Sequence, residues 1–415
     1  MTVPPGRGRW RIMLAQRLYD QTQQATASLP LGDLIDARSR RLEQQLKGPA
    51  RFQFVVDGHD PTAAQIQELE HEVRVWRWDD ATNSDMEMMR GVITASQDTI
   101  SEQRHTVTFT CQDPLSLLGR RWATVPLTFN QVDQDTIADN LRTSGSANLT
   151  TSSGMPFGLS SALPLTFTPL DPFGNARQPS GRLRDRTYPE GTNSLEALTN
   201  LSNVIDGFDF DCRPVAGADL MVNDQLRVFY PFQGRLIENW ALEYGSTVAG
   251  LSRSLSADTY ANYVRVIGQP TQDPETGEEG PQVYGEGWSA DALDIIANPA
   301  GTWMQSLSAA DVTQVNTLIE IAAGELERNI LLPNYSLQLV GGAYTPEAFD
   351  IGDVVRLRIN SGRLNVDTWV RVMTRTFVIG DDGQEDVEVE VARPEGTFSE
   401  LFANADQRLK ALERR

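Results

Sequence analysis

Strict alternation between apolar and polar residues recurs along this chain, and it limits the fold more than any other feature of the sequence. The clearest example is HTVTFTC, in which His105, Val107, Phe109 and Cys111 alternate with three threonines. Successive side chains of a β-strand leave opposite faces of a sheet, so this pattern predicts a half-buried strand. Similar alternation elsewhere predicts a protein built mostly from β-strands.

The first 125 residues combine several strand patterns with one helix pattern. The strand patterns are GRWRIML, ARFQFVVDG, VRVWRWDD and the stretch around residues 91–113. Asp60 is a candidate N-cap with Pro61 at the first helical position, and Ile66, Leu69 and Val73 recur at helical spacing. Residues 1–125 are therefore predicted to form a strand-rich domain that contains one helix.

Residues 126–235 differ in kind and predict a mixed α/β insert. QDTIADNLRTSG predicts a short helix that ends near Gly145. Asn193 and Glu196 have capping-box spacing at the start of a second helix, and FDFDCRP and QLRVFYP then predict a pair of strands. Between the two helices, residues 146–191 are rich in Ser, Thr, Gly and Pro without clear periodicity. We expect a long loop there that is functional or stabilised by partners.

Residues 236–395 return to strand patterns around one long helix. An acidic loop is expected over 269–287, and Ser308 and Asp311 have capping-box spacing before an apolar stripe, which predicts a helix over 308–329. Four alternating strands follow, the last two joined by a hairpin turn at Gly383. Residues 396–415 predict a C-terminal helix. The fold class predicted for the whole chain is α+β, mostly β.

Composition excludes some classes of function. The formal net charge of −20 opposes binding to nucleic acid, which depends on neutralising phosphates, so we expect no sequence-specific nucleic-acid binding. No apolar run reaches the roughly 20 residues of a membrane-spanning helix, and the opening residues show no secretory signal. The two cysteines, Cys111 and Cys212, lie on apolar faces of strand patterns and are predicted to be buried free thiols.

The candidate sites for chemistry each have a structural interpretation. Asp57, His59 and Asp60 could hold a metal, but a strand-to-helix turn with Asp60 as cap explains them as well. The acidic turn GDDGQED is too short for a calcium loop and fits a hairpin. Trp76 and Trp78 could stack sugars or belong to a core or interface. We assign no catalytic, metal-binding or cofactor-binding residue, and no cofactor.

Several stretches, taken in order, resemble the tail-hub or baseplate-hub family of long-tailed bacteriophages. These are RSRRLEQQLKGPARFQFVVDGHDP, VRVWRW and RGVITASQDTISEQRHTVTFTCQDPLSLLGRR, with YPEGTNSLEALTNLSNVIDGFDFD and IENWALEYGSTVAGLSRSLSADTYANYVRVIG further along. The positions that carry the pattern are Gly58, Gly91, Ile93, Val107, Phe109, Asp113 and 115–118. The resemblance covers most of residues 30–395, and the order of the motifs is more specific than any one of them.

The resemblance implies a structural protein without enzymatic activity. It implies two tail-tube-like β-barrel domains, at 1–125 and 236–395, flanking the insert at 126–235. Such hubs are homotrimers whose six barrels match the sixfold tail tube to a threefold tip and let DNA pass. The implied partners are a distal tail protein or the tail tube above, tip or fibre proteins below, and the tape-measure protein or DNA in the lumen. The implied location is the virion tail tip, after assembly in the host cytoplasm.

Two other functions stay open from the residues alone. One is a glycan-binding module that recognises the host surface through exposed aromatic side chains, with the loop 146–191 forming the site. The other is a cell-wall hydrolase with an unrecognised pair of acidic residues, since the chain holds 56 acidic residues and nothing selects a pair.

Overall fold

A computed structural model describes residues 10–20, 25–79, 83–102, 104–146, 165–204, 206–215, 223–255, 257–258, 260–270, 280–292, 301–309, 312–328, 333–341, 348–381 and 383–392. The first fourteen strands are β1 (Trp10–Asp20), β2 (Ala25–Asp33), β3 (Arg38–Gln45), β4 (Arg51–Asp57), β5 (His71–Asp79), β6 (Ser84–Ile100), β7 (His105–Gln112), β8 (Leu127–Asp133), β9 (Leu165–Leu170), β10 (Leu183–Tyr188), β11 (Asp209–Val215), β12 (Asn223–Phe229), β13 (Leu236–Glu243) and β14 (Val248–Ser254).

The remaining strands are β15 (Tyr263–Gly268), β16 (Tyr284–Trp288), β17 (Met304–Ala309), β18 (Asn334–Leu339), β19 (Val354–Ser361), β20 (Leu364–Ile379) and β21 (Glu385–Ala392). The helices are α1 (Pro61–Gln65), α2 (Pro114–Leu118), α3 (Gln134–Ser146), α4 (Ser194–Ser202) and α5 (Val315–Arg328). Strands dominate, so the predicted class, α+β and mostly β, is confirmed.

The two outer segments of the chain share one 13-stranded sheet. Its path runs β14-β18-β21-β20-β3-β4-β7-β6-β5-β1-β2, and β19 and β13 branch from β20. The segments join where β20 pairs with β3, with Phe377 opposite Leu42. Both residues are buried in a core to which strands of both segments contribute. Within the described residues, no sheet closes on itself into a barrel.

The large sheet curves strongly. Arg77 of β5 donates hydrogen bonds of 2.9 and 2.6 Å to the carboxylate of Glu385 at the start of β21, and both side chains are buried. In the strand order β20, β3, β4, β7 and β6 lie between these two strands. The rings of Trp10 and Phe377, from β1 and β20, are 5.2 Å apart between centroids. The sheet therefore folds over itself around the shared core.

The insert has a core of its own. Strands β11-β12-β9 form one sheet, β10 and β8 form a two-stranded sheet, and helices α2, α3 and α4 pack with them. The side-chain oxygen of Asn193 accepts a hydrogen bond from the backbone N–H of Glu196 at 3.0 Å, as the capping-box spacing predicts. The prediction of an unbroken loop over 146–191 is wrong, because β9 and β10 lie within it and complete the insert's two sheets. Residues 147–164 lie outside the described residues.

A third, smaller unit lies within the second outer segment. Strands β16-β15-β17 form a sheet, and α5 packs on one face of it through Val264, Val266, Leu318 and Ala322. Here the prediction of a helix over 308–329 is wrong at its start. Ser308 belongs to β17 and pairs with Ile267, and the helix begins at Val315. The ladder with β15 satisfies backbone groups that a helical cap would have used. The acidic loop expected over 269–287 is also shorter, since β16 begins at Tyr284.

The helix predicted after Asp60 is much shorter than its apolar spacing suggests. Asp60 caps α1 as expected, accepting from the backbone N–H of Thr62 at 2.7 Å, but the helix ends at Gln65. Val73 lies in β5, which pairs with both β1 and β6. The two ladders satisfy the backbone of this segment, and the strand also buries Val73 and Val75 in the shared core. The C-terminal helix predicted over 396–415 lies outside the described residues.

In the described part of the chain, no helix is both long and apolar enough to cross a membrane. Both cysteines are free thiols, as predicted; Cys111 is buried and Cys212 partly so.

Candidate assembly surface

The three histidines of the chain, among them the metal candidate His59, take part in contacts of the fold. His105 Nε2 lies 2.7 Å from Asp98 Oδ1, and its ring stands edge-on to that of His59. His71 Nδ1 accepts the backbone N–H of Gln67 at 2.9 Å. Asp57 accepts the backbone N–H of His59 at 2.9 Å, which fits the turn interpretation of this stretch. Among the described residues, no three side chains of metal-binding type come together.

The acidic turn after β20 is a hairpin, as the sequence predicts. Gly383 has a φ of 76°, which glycine adopts without strain, and its N–H bonds the carbonyl of Gly380 at 3.0 Å. Glu385 turns inward to Arg77 and also accepts the indole N–H of Trp10 at 2.9 Å. Its carboxylate therefore fixes the curvature of the large sheet. Trp76, by contrast, lies under two guanidinium groups, those of Arg74 and Arg11, at 4.6 and 5.4 Å from the ring centroid.

A buried ionic junction attaches the insert to the large sheet. Asp209, the first residue of β11, forms ion pairs with Arg371 of β20 and, at 3.3 Å, with Lys47 just after β3. It also accepts the backbone N–H of Gln233 at 2.8 Å. Burial by itself would raise the pKa of Asp209, but the charges of Arg371 and Lys47 outweigh it and lower that pKa. Asp209 is thus a charged carboxylate shared by two parts of the chain.

The same junction continues toward solvent. Asp211 pairs with Arg227, at 2.5 Å, and with Arg213, at 3.3 Å. Arg213 in turn reaches Asp350, which precedes β19, at 3.1 Å, and Asp350 also contacts Arg375 of β20 at 3.0 Å. This series of ion pairs orients the insert against β20, because the carboxylates of Asp211 and Asp350 each bridge arginine side chains from different elements.

A second buried polar cluster lies where β5 and β6 meet the insert. Arg90 Nη1 is 3.6 Å from Asp224 Oδ1, and Arg90 also pairs with Glu87 at 3.1 Å. Burial raises the pKa of Asp224 to about 7. Nearby, Asp113 caps α2 and accepts the backbone N–H of Ala50 at 2.9 Å, and burial raises its pKa to about 8. These two carboxyls hold protons in the folded state at pH values where they would ionise in water.

The large sheet has edges of different character at β2, β13 and β14. Within the described residues, β2 pairs only with β1, β14 pairs only with the strand β18, and β13, on the branch, pairs only with β19. Edge strand β2 exposes Leu29 and Leu31, and Ile35 just beyond it has 85% of its surface exposed. Pro30 lies between the two leucines and has no N–H to offer. Proline blunts an edge against the addition of another strand, so the exposed side chains of Leu29, Leu31 and Ile35 offer instead an apolar surface on which another chain can pack.

Few local patterns in the sequence point to the two buried clusters. Asp209 and Arg371 stand 162 positions apart, so no local spacing connects them. The one available signal was the FDFD alternation of β11, which places Asp209 and Asp211 on one face of that strand.

No family model matches this chain, and no curated protein matches it. Solved structures do match it in fold. The tail protein from Neisseria meningitidis MC58 superposes with a TM-score of 0.54 at 11% sequence identity, over 92% of this chain and 96% of the other. The 43 kDa tail protein of prophage MuSo2 from Shewanella oneidensis gives 0.55 at 11% identity, over 93% and 99%. A prophage tail protein from Listeria monocytogenes EGD-e gives 0.49 at 12% identity, over 96% and 99%.

The chain therefore has the fold of phage tail proteins. The match to the Neisseria and Shewanella proteins extends over nearly the whole length of both partners, so it concerns the complete architecture and not one common motif. This confirms, at the level of the fold, the resemblance to phage tail proteins that the order of the sequence motifs suggests.

Proposed function

We propose that the protein is a structural component of a phage tail, located in the virion, and more specifically the hub of the tail tip or baseplate. The supporting observation is the shared fold, over more than nine-tenths of each chain, with two proteins described as tail proteins. Fold alone does not define function. The extended sheet and its exposed edges add a reason to expect assembly rather than catalysis.

The assembly that we propose is a homotrimeric ring. The two ends of the large sheet differ, so a contact between β2 of one copy and β14 of the next is heterologous, and such contacts close into rings when the rotation fits. In this proposal the segments 1–125 and 236–395 act as two tail-tube-like units per copy. Three copies then present six units to the tail tube or distal tail protein above and a threefold surface to tip or fibre proteins below.

The proposed ring carries the tape-measure protein or DNA through its lumen. The net charge of −20 supports this role, since a like-charged wall does not retain phosphates. The protein itself performs no reaction in this proposal, and it assembles in the host cytoplasm before becoming part of the tail tip. The hydrolase alternative has no observation in its favour among the described residues.

The test is the native mass of the purified protein across a range of concentrations, with particle images of the largest species. We expect a trimer with a central opening. The variant Leu31→Lys places a charge on the free edge and should shift the population to monomer. Phe173→Lys, at an exposed position in the insert that belongs to neither β2 nor β14, is the matched control and should leave the trimer intact. A wild-type monomer at every concentration, also in the presence of tail extract, would contradict the proposal.

A further inference from the structure

The sheet of the third unit has one face against α5 and one face toward solvent. Antiparallel pairing sets Tyr263 opposite Trp288, Arg265 opposite Glu286 and Ile267 opposite Tyr284. Directly opposed residues share a face, and the valines between them, Val264 and Val266, are buried against the helix. The paired side chains therefore all lie on the outer face, where Met304 of β17 joins them.

We call this surface the aromatic face and define it by Tyr263, Arg265, Tyr284, Glu286, Trp288 and Met304. Tyr284 and Trp288 each have 52% of their surface exposed, and Met304 has 70%. Outer strand positions of a soluble protein normally carry polar side chains, and a group of exposed aromatic residues marks an interaction site.

The backbone behind the aromatic face is held rigidly. Gly285 and Gly287 alternate with the outward residues of β16 and lie against α5. A Cβ on Gly285 would fall 2.4 Å from the backbone nitrogen of Ile319, so helix and strand touch directly. At the end of the sheet, buried Asn262 accepts the backbone N–H of Trp303 through Oδ1 at 2.7 Å. The rings are thus presented on a fixed support, which reduces the entropy lost when a ligand binds.

A polar triad lies at the centre of the aromatic face. Glu286 Oε1 accepts from Tyr263 Oη at 2.6 Å, from Arg265 Nε at 2.9 Å and from Arg265 Nη2 at 2.6 Å. The guanidinium group of Arg265 also lies 5.0 Å from the ring centroid of Tyr284. All three contacts converge on Oε1, and Oε2 accepts no hydrogen bond within the described residues. The triad carries no net charge, and it combines fixed donors and acceptors beside two exposed rings.

We propose that the aromatic face binds a neutral carbohydrate, with pyranose rings stacked on Trp288 and Tyr284 and sugar hydroxyl groups hydrogen-bonded to Glu286 and Arg265. The C–H faces of a sugar are apolar and its hydroxyl groups both donate and accept hydrogen bonds. The apolar C–H faces match the flat aromatic rings, and the hydroxyl groups match the hydrated ion pair of Arg265 and Glu286 between those rings.

Other classes of ligand fit this surface less well. Nucleic acid would require unpaired positive charge, but Arg265 is neutralised by Glu286 and the protein is acidic. A protein partner would take the exposed Arg265–Glu286 pair out of water at the cost of its hydration. Carbohydrate hydroxyl groups, by contrast, take the places of the water molecules that hydrate this ion pair. The aromatic face contains none of residues 146–191, where the sequence alone had suggested glycan binding.

Binding to an array of neutral oligosaccharides that includes chitotetraose and maltotetraose tests the proposal, followed by titration of tryptophan fluorescence with the probe that binds. We expect Trp288→Ala to weaken binding at least tenfold and Glu286→Gln about fivefold. Trp122→Ala removes an equally exposed tryptophan outside the aromatic face and should bind like the wild type. The fluorescence readout requires no particular oligomeric state, so Leu31→Lys should bind normally even if it is monomeric.

Three results would overturn the inference. The first is that the wild type retains no glycan on the array, and the second is that Trp288→Ala and Trp122→Ala bind equally well. The third is a native mass that falls in Trp288→Ala while that of Trp122→Ala stays unchanged, which would identify the aromatic face as a contact between protein chains.

Discussion

The Asp209→Asn variant should unfold with a free energy about 3–5 kcal/mol below that of the wild type. The substitution keeps the shape of the side chain but removes its charge, so Arg371 and Lys47 lose the carboxylate that pairs with both of them. Arg371 is only 3% exposed, and it also donates hydrogen bonds to the carbonyl oxygens of Gly352, at 3.1 Å, and Gln233, at 2.9 Å. Carbonyl oxygens can accept its hydrogen bonds but cannot neutralise it, so most of the penalty remains.

The matched control for this variant lies on the same strand as Arg371. Asp367 pairs with Arg356 at 2.7 Å, but 51% of its side chain is exposed. Water screens such a pair, so Asp367→Asn should lower the free energy of unfolding by no more than about 1 kcal/mol. Comparing two Asp→Asn substitutions separates the effect of burial from the effect of the substitution itself.

Urea unfolding followed by circular dichroism measures both free energies, and limited proteolysis reports whether the insert separates first. Asp209 has a lowered pKa in the folded state, so its contribution is present above its unfolded pKa, near 4, and is lost as the pH falls through the folded value. The difference between wild type and Asp209→Asn should therefore shrink in acid. If Asp209→Asn proves no more costly than Asp367→Asn, the ionic junction does not hold the insert to the sheet.

Two further predictions concern burial and close packing. Asp224 has a pKa raised by burial to about 7, so the folded state retains a proton that the unfolded chain loses near pH 4, and stability from this group falls as the pH rises from about 4 to 7. Relative to the wild type, the free energy of unfolding of Asp224→Asn should rise by up to about 4 kcal/mol across that range. Urea titrations at several pH values measure this difference, and a difference that does not change with pH would contradict the assignment. Gly285→Ala should lower the free energy of unfolding by about 1–3 kcal/mol, because its Cβ meets the backbone of α5. Gly341→Ala, where nothing lies within 4 Å, should change it by less than about 0.5 kcal/mol, and equal thermal shifts in both variants would refute the packing argument.

Two predicted helices show why the helical spacing of apolar residues was not enough to predict where a helix begins and ends. Near Asp60 and near Ser308, the sequence offers cap residues followed by apolar residues at helical intervals. The cap at Asp60 forms, but Val73 lies in β5 and Ser308 lies in β17. In both places the deciding factor is a neighbouring strand, β1 or β15, whose position depends on residues far away in the sequence. Local propensity is a weak preference that such pairing overrides.

The sequence by itself determined that the chain is mostly β and located the strands that alternate strictly, such as β4 and β7, because a period of two is a local property that a half-buried sheet requires. It also determined the caps at Asp60 and Asn193 and the turn at Gly383, each of which needs only a few adjacent residues. Only the tertiary structure decided that β20 pairs with β3 and so joins the two outer segments in one sheet. It alone brought Asp209 to Arg371 and assembled the aromatic face, since both depend on register and packing between strands that no local pattern encodes.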